Sequence, residues 1–350
     1  MAKTDTPAAI GILAYEGCSA WLTAGLIEQF AIANVAAAHA RGSRTMKLPP
    51  FRCEIIGASS GLIRGSHNVR FEPAPLRRRY DAVVVPPLWV TSPREVSERL
   101  IELEHLKPLL VKLARRANIM SSACSGAALL ANAGLLARHR VTTCWWLAPW
   151  FATRFPDVTL VADRLVMTDR DRWTAAAGSA YIHLGLAIVR RLAGAQIANL
   201  TARLMLVEQR RGSQSPFLTP AELPQDADDP LIRRATAHLR SHATERFSIV
   251  TLSRALNVSE RTLSRRFQSA LGMTPLTYLQ TQRVARAKQL LERGETPLDQ
   301  IVVACGYEDV SSFRKLFSRH VGMTPREYRS RFAEKSTTSA QQLTSDRMGV

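Results

Sequence analysis

Apolar positions in the C-terminal third of the chain recur every four residues, a pattern that predicts short amphipathic helices. Leu263 and Phe267 form one such pair, and Phe313 and Phe317 form another at the same offset. Arg, Lys and Ser occupy most of the positions between them. Each segment is therefore predicted to be a helix that buries one stripe and exposes a basic, polar side.

The tetrapeptide Gly-Met-Thr-Pro follows both segments, at residues 272–275 and again at 322–325. Glycine just past an amphipathic segment is the usual left-handed residue that ends a helix. Thr-Pro supplies a capping hydroxyl and a first residue whose φ is already helical. The tetrapeptide therefore predicts the end of one helix and the start of the next, and its return indicates a duplicated unit.

A second short helix is predicted before each of these segments. One reads SIVTLSRALNV and ends at Asn257; the other reads TPLDQIVVACGY, with a Thr296-Pro297 cap and Asp299 at the capping-box position. Two short helices joined by a tight turn make a helix-turn-helix. The sequence thus predicts two such units in succession.

Further helices are predicted to begin at Asp229-Pro230 and at Thr274-Pro275, the second of them running to about Glu292. At 1.5 Å per residue this second helix is about 27 Å long. It can therefore hold two recognition helices near the ~34 Å that separates successive major-groove faces of B-DNA. We predict contacts to DNA from the exposed positions of these helices, namely Arg261, Ser264, Arg265, Ser311, Arg314 and Lys315. Arg254, Arg266, Arg283 and Arg319 are predicted to position the domain or support its structure.

Residues 229–332 resemble the DNA-binding domain of AraC/XylS-type transcription regulators. The stretch IVVACGYEDVSSFRKLFSRHVGMTPREYR follows the signature of that family nearly throughout. The resemblance implies double-stranded promoter DNA and RNA polymerase as partners, and activation as the commoner effect on transcription.

Residues 8–208 show a different pattern, in which short β-rich runs alternate with helical stretches. The predicted strands are IGILAY, FRCEIIGA, YDAVVVPP and NIMSSAC, and GLIEQFAIANVAAAHA and GAALLANAGLL are predicted helices. This alternation predicts an α/β domain with a doubly wound parallel sheet covered on both faces. An all-α double helix-turn-helix domain follows it.

One strand-to-helix junction carries candidate chemistry. In NIMSSACSGAALL, Cys124 lies at the predicted turn, with Ser122 and Gly126 two residues away on either side. Small residues around a central nucleophile are typical of a nucleophile elbow, and a helix N-terminus would favour the thiolate. A buried, inert cysteine at a strand end is the alternative.

With the later segments GLLARHRVTTCWW and AGSAYIHLGLAIVRRLAG, this domain resembles the PfpI-type class I glutamine amidotransferase-like fold. Many regulators of that type have a histidine where this chain has Cys144, and an acid where it has Leu22. Glu16 and Glu28 are poorly placed substitutes, and His183 lies on an apolar predicted helix. Because Cys124 lacks its expected base and acid, we predict that the chain is not an enzyme.

The elbow is instead predicted to mark a ligand site, since parallel sheets bind ligands at the carboxyl ends of their strands. The candidate ligand-binding residues are Cys124, Ser125, Cys144, Trp145 and Trp146. Tryptophan faces can hold cations, so an amine, an amino acid or a quaternary ammonium compound is the predicted effector. Packing in the core or in a dimer interface is the alternative for Trp145, Trp146 and Trp150.

Charge and cysteine content support an intracellular nucleic-acid-binding protein. The formal net charge is +18, and residues 229–350 carry 20 Lys and Arg against 11 Asp and Glu. The five scattered cysteines form no metal or disulfide pattern, and no secretory signal, membrane span or cofactor motif is found. We therefore predict a cytoplasmic location, no metal and no cofactor.

Taken together, the sequence predicts a sequence-specific transcription regulator, and a homodimer, that answers to a small metabolite. The predicted domains are residues 8–208 for ligand sensing and dimerisation, 209–228 as linker, 229–332 for DNA binding, and 333–350 as a disordered tail. One alternative is a cysteine-dependent amidase or hydrolase fused to a DNA-binding domain. Another is an architectural nucleic-acid protein without a ligand.

Overall fold

The computed structural model describes residues 6–42, 49–58, 61–209, 212–217, 229–271, 273–294 and 296–333. The chain divides into two compact units, Met1–Gln214 and Ser215–Val350. The predicted tail from residue 334 onward lies outside the described residues.

The first unit is built on a six-stranded sheet in the order β2-β1-β5-β6-β10-β9. All neighbouring strands run parallel except the last pair, β10 and β9. The strands of the unit are β1 (Ala8–Leu13), β2 (Phe51–Ile56), β3 (Ile63–Arg64), β4 (Arg70–Phe71), β5 (Tyr80–Val85), β6 (Ala117–Ala123), β7 (Arg140–Val141), β8 (Thr159–Leu160), β9 (Val166–Asp169) and β10 (Arg172–Ala175). The four strands predicted from the sequence are β1, β2, β5 and β6.

Helices cover both faces of this sheet. They are α1 (Ala20–Ala40), α2 (Pro93–Glu102), α3 (Lys107–Arg116), α4 (Gly126–Asn132), α5 (Ala148–Arg154), α6 (Ala180–Ala193) and α7 (Ala195–Leu204). The core on one face includes residues of α2, α3 and α4, and the core on the other includes residues of α1, α6 and α7. Strands buried on both sides must be apolar on both sides, which explains why runs such as DAVVV lack alternation. The predicted doubly wound α/β fold is confirmed.

The predicted linker of residues 209–228 differs from the structure where it is described. Gln214 is buried, and its side-chain amide donates to the carbonyl of Thr143 at 2.9 Å and to that of Ala162 at 2.5 Å. The Ser213 hydroxyl donates to the carbonyl of Asp163 at 2.8 Å. These hydrogen bonds attach residues 213–214 to the first unit, although their polar, loop-like sequence predicts a free segment.

The second unit is helical and contains two separate apolar cores. Its helices are α8 (Pro230–Ser241), α9 (Ile249–Ala255), α10 (Glu260–Leu271), α11 (Pro275–Glu292), α12 (Leu298–Ala304), α13 (Val310–Val321) and α14 (Pro325–Phe332). The first core joins α8, α9 and α10 to the start of α11, whereas the second joins the end of α11 to α12, α13 and α14. The predicted double helix-turn-helix is confirmed.

Most of the predicted helix caps in this unit are present. The Thr274 hydroxyl accepts a hydrogen bond from the N–H of Thr277 at 3.1 Å, and the Thr324 hydroxyl accepts one from Glu327 at 3.2 Å. Gly322 ends α13 with φ 79°, whereas its counterpart Gly272 lies outside the described residues. The cap predicted at Thr296 differs, because α12 begins one residue later, after Pro297, and has no side-chain cap.

Candidate nucleic-acid interface and ligand site

The two recognition helices, α10 and α13, present one buried and one exposed side. Leu263 and Phe267 of α10 are fully buried, as are Phe313 and Phe317 of α13. The six side chains predicted to contact DNA are all exposed: Arg261, Ser264, Arg265, Ser311, Arg314 and Lys315. Their donors are therefore available for phosphate oxygens or for the base edges of a major groove.

Gln268 is a further exposed polar residue of α10 that the sequence reasoning omitted. It lies four residues after Ser264, so it extends the same exposed side of the helix by one turn. An amide side chain can bond adenine through both its donor and its acceptor. Its four-residue spacing from Ser264 is the feature of the sequence that indicates this position on the exposed side.

The remaining arginines of interest have different surroundings. Arg254 and Arg319 are exposed. Arg266 instead forms an ion pair with Asp229, with 2.7 Å between its Nε and the Asp229 Oδ2. Arg283 is only 8% exposed and donates to two backbone carbonyls of the second unit, those of Ala243 and Glu245. Arg266 and Arg283 thus hold parts of the second unit together.

In the first unit, the predicted elbow is present between β6 and α4. Cys124 has a left-handed backbone, with φ 53°, directly after the strand ends. A Cβ atom on Gly126 would lie 2.6 Å from the carbonyl oxygen of Pro86 and 2.7 Å from that of Val85. A side chain at position 126 would therefore collide with the neighbouring strand end, which explains the glycine two residues after Cys124.

Two thiols meet at this turn. Cys144 is fully buried and lies within hydrogen-bonding reach of the half-buried Cys124. The Thr143 hydroxyl donates to the Cys124 carbonyl at 2.8 Å and so ties the two segments together. The hydrogen bond from Cys144 holds the pKa of the Cys124 thiol below its ordinary value, whereas burial raises the pKa of Cys144. At neutral pH, Cys124 therefore has the greater thiolate character of the two.

The other predicted ligand-binding residues are less accessible than the sequence suggests. Ser125 is fully buried, and its hydroxyl donates to the Leu88 carbonyl at 3.1 Å. Cys144 is fully buried too. Trp145 and Trp146 are half-buried in a short 3-10 turn after Cys144. Trp150 donates from its indole N–H to the Ser97 hydroxyl at 3.1 Å and packs on the core, which is a structural role.

Two exposed tryptophans lie beyond the carboxyl ends of β1 and β5, Trp21 in the first turn of α1 and Trp89 in the loop after β5, and neither is a predicted ligand-binding residue. Trp21 and Trp89 are each 59% exposed, and the Trp89 ring packs edge-on against His67, with 4.7 Å between the ring centroids. We call Trp21, His67 and Trp89 the aromatic rim. The feature of the sequence that indicates this site is a tryptophan a few residues after each of two predicted strands, IGILAY and YDAVVVPP.

Backbone hydrogen bonds connect the segments of the aromatic rim to one another. The Trp89 N–H donates to the Gly17 carbonyl at 3.2 Å, and the Ser66 N–H donates to the Cys18 carbonyl at 2.8 Å. The Ser125 hydroxyl bonds the carbonyl of Leu88, the residue before Trp89. The elbow and the aromatic rim therefore lie along the same edge of the sheet, where parallel sheets commonly bind ligands.

Within the described ranges, no group of three or more His, Cys, Asp or Glu side chains could hold a metal ion. Among the described helices, α1 alone is long and apolar enough to span a membrane when judged by length and composition, and half of its most apolar stretch is buried within the fold. Partial burial of this kind is usual for a core helix.

Comparison with known proteins agrees with the C-terminal architecture. Residues 252–331 match the family model described as "Helix-turn-helix domain". The chain is 27% identical over 232 residues to the HTH-type transcriptional regulator GbdR of Pseudomonas aeruginosa UCBPP-PA14, across 66% of this chain and 63% of that protein. It is 29% identical over 221 residues to ArgR of Pseudomonas aeruginosa PAO1, across 63% of this chain and 67% of that protein.

The match thus spans less than two thirds of the length of GbdR. Both relatives are named as transcription regulators, in agreement with the prediction that this chain is not an enzyme. Among solved structures, a ThiJ/PfpI family protein from Pseudomonas syringae superposes with a TM-score of 0.45 and 18% identity, covering 71% of this chain and 90% of that one.

Proposed function

We propose that the protein is a sequence-specific DNA-binding transcription regulator of the AraC type, because residues 252–331 match a helix-turn-helix domain and GbdR, to which the chain is similar, is named as a transcriptional regulator. The observation that carries the proposal is the matched pair α10 and α13. Each has an aromatic or aliphatic stripe in its own core and a set of exposed Arg, Lys and Ser side chains on the opposite side. Two recognition helices on one domain can occupy two successive major-groove faces.

The proposed partners are promoter DNA, RNA polymerase and a second copy of this chain, in the cytoplasm. Activation is the proposed effect on transcription. The net charge of +18 supports binding to a polyanion, and electrostatic attraction would speed the search along DNA.

We further propose that the first unit binds a small metabolite at the carboxyl edge of its sheet, beside Cys124. The aromatic rim supports this position, since exposed tryptophan faces attract cations and supply apolar contact area. An amine, an amino acid or a quaternary ammonium compound is the proposed ligand class. Such a ligand would alter DNA binding only by preferring one arrangement of the protein over another.

The DNA-binding proposal is tested with the full chain by selecting binding sites from a randomised duplex library. We expect one enriched sequence, and an affinity that falls with salt at a log–log slope of about −0.9 for each phosphate neutralised. A library that stays random after selection, or an affinity independent of salt, would remove the proposed function.

The ligand proposal is tested by the melting temperature of the full chain against a library of amines, amino acids and quaternary ammonium compounds. A ligand at a hundred times its Kd adds about 2.7 kcal/mol, which is about 5 to 10 °C for a domain of this size. Trp89→Ala should abolish the shift, whereas Ile101→Ala, which removes an exposed apolar side chain at the far end of α2, should keep it.

The same experiment separates a sensor from an enzyme. A compound that raises the melting temperature and is recovered unchanged after incubation supports ligand sensing. A compound that is consumed by the wild-type chain but not by Cys124→Ala would instead favour the hydrolase alternative.

A further inference from the structure

The two helix-turn-helix units of the second domain have separate apolar cores, and α11 contributes to both. Tyr278 and Leu279 lie in the first core, whereas Val284, Ala287 and Leu291 lie in the second. A shared helix alone can bend or twist between two packed ends. The angle between the recognition helices α10 and α13 therefore depends on contacts that cross from one core to the other.

Arg283 makes such contacts from the middle of α11. Its Nε donates to the carbonyl of Ala243 at 2.7 Å and its Nη2 to the carbonyl of Glu245 at 2.5 Å. Both carbonyls belong to the loop between α8 and α9, in the first helix-turn-helix unit. A guanidinium presents its donors in a rigid plane, so two bonds to one loop fix the orientation of that loop relative to α11.

The same guanidinium also contacts the second helix-turn-helix unit. Its central carbon lies 4.9 Å from the ring centroid of Tyr307, within the range of a cation–π contact. Tyr307 lies in the turn between α12 and α13, and its ring packs against Phe313 of α13 at 5.4 Å between centroids. The buried side chain of Arg283 thus connects the loop between α8 and α9, in the first helix-turn-helix unit, to the apolar core that surrounds α13 in the second.

Beside this contact, the backbones of the two helix-turn-helix units lie directly against each other. Gly306, with φ 75°, has no side chain, and a Cβ atom there would lie 2.5 Å from the carbonyl oxygen of Thr244. The turn between α12 and α13 therefore contacts the same loop, residues 243–245, to which Arg283 donates its hydrogen bonds. We call the contacts of Arg283 and Gly306 with this loop the joint between the two helix-turn-helix units.

We propose that Arg283 is a positioning residue that fixes the second recognition helix, α13, relative to the first, α10. It thereby sets the spacing at which the protein binds its two half-sites tightly, a half-site being the DNA segment that one of these two helices of the same chain contacts. This inference rests on the proposed DNA-binding function. Inserting one base pair between half-sites moves them apart by about 3.4 Å and rotates them by about 34°. A fixed joint cannot follow that change, whereas a loosened joint can.

The burial of Arg283 changes what its substitution should do. If Arg283 contacted a phosphate, Arg283→Ala would weaken binding to all DNA alike. A side chain that is 8% exposed and bonded to protein carbonyls has little left for phosphate. The expected effect is therefore a loss of discrimination between spacings.

The test uses the full chain and the duplex selected from the randomised library, together with versions that carry one base pair more or fewer between the half-sites. Wild-type protein should prefer the selected spacing by about 10- to 100-fold. Arg283→Met should bind the selected duplex more weakly and the altered duplexes nearly as well as before, so that the preference falls to about threefold or less. An unchanged preference in a folded Arg283→Met variant would overturn the proposal.

Two substitutions separate positioning from charge and from stability. Arg283→Lys keeps the charge but loses the planar pair of donors, so it should lose the preference as Arg283→Met does; full retention would indicate a charge effect instead. Arg329→Met removes a guanidinium that donates to the Thr296 carbonyl at 2.5 Å. This hydrogen bond lies within the second helix-turn-helix unit and does not reach the first. Arg329→Met should keep the wild-type preference, whatever its effect on stability.

Gly306→Ala keeps the test independent of whether Arg283 variants fold. It should lower the spacing preference through the clash with Thr244, and Gly322→Ala, at a similar φ of 79°, controls for backbone strain. Equal preferences in both glycine variants would overturn the proposed joint. Failure of wild-type protein to enrich any duplex would remove the proposed function itself and is read out separately.

Discussion

The guanidinium of Arg266 on α10 lies against the carboxylate of Asp229, the residue that caps α8. Asp229 Oδ2 accepts from Arg266 Nε at 2.7 Å, and Asp229 Oδ1 accepts from the N–H of Leu231 at 2.9 Å. One carboxylate therefore both caps the first helix of the unit and pairs with the recognition helix. This explains why Arg266 differs from its exposed neighbour Arg265.

We expect Asp229→Ala to destabilise the first helix-turn-helix unit by about 1–2 kcal/mol, the usual cost of losing a helix cap. Hydrogen exchange of the α8 to α10 amides in the full chain would measure the effect locally. Glu292→Ala is a control at the end of α11, outside this pair. Unchanged exchange in α8 would contradict the capping role.

The same pair predicts a dependence of stability on pH. Although burial alone would raise the pKa of Asp229, hydrogen bonds from Arg266 and from the start of α8 outweigh it and hold the pKa below 3.8. The stabilisation is therefore complete above pH 3.8 and disappears as the pH falls through the lower folded-state pKa. Wild-type and Asp229→Asn proteins should converge in local stability at the acid end of a pH series, and a constant difference would argue against the ion pair.

Arg265→Ala should change the preferred DNA sequence. If Arg265 reads a base edge, its loss costs about 1–3 kcal/mol on the selected duplex and much less on unrelated DNA. Arg254→Ala, an exposed arginine of α9, should weaken both kinds of DNA equally. Selection from the randomised library with each variant measures this directly, and equal losses for Arg265→Ala on both duplexes would refute base readout.

Cys124 should alkylate at a lower pH than an ordinary cysteine. The hydrogen bond from Cys144 lowers the pKa of the Cys124 thiol from 9.0, so Cys144→Ala should raise that pKa and slow modification near neutral pH. Mass spectrometry of the peptide after iodoacetamide treatment across a pH series gives the midpoint. Cys53→Ala, on β2, should leave the midpoint in place, and a midpoint unaffected by Cys144→Ala would disprove the coupling.

Gly126→Ala should strongly destabilise the first unit. The added methyl group would lie 2.6 Å from the Pro86 carbonyl oxygen, and overpacking of this kind typically costs about 1–3 kcal/mol. Gly212→Ala is a matched control, because an added Cβ there meets nothing within 4 Å. Chemical unfolding followed by intrinsic tryptophan fluorescence would compare them, and equal stabilities would mean that the elbow relaxes.

The local elements of this protein follow from short-range patterns in its sequence. Paired apolar positions such as Leu263 and Phe267 placed the recognition helices, and Thr274 and Thr324 marked helix starts that the structure confirms. The elbow at Cys124 was likewise visible from the small residues around it. These features follow from interactions within a few residues along the chain, which is why local pattern was sufficient.

Contacts between distant segments depend instead on how the whole chain packs. Cys144 lies twenty residues after Cys124, and Arg283 lies forty residues after Ala243, so nothing local signals either contact. Burial also separated Ser125 from the accessible part of the site and brought Trp89 to its edge. A side chain's type shows what chemistry it can perform, but whether it faces solvent, a thiol or a backbone carbonyl depends on the packing of the whole fold.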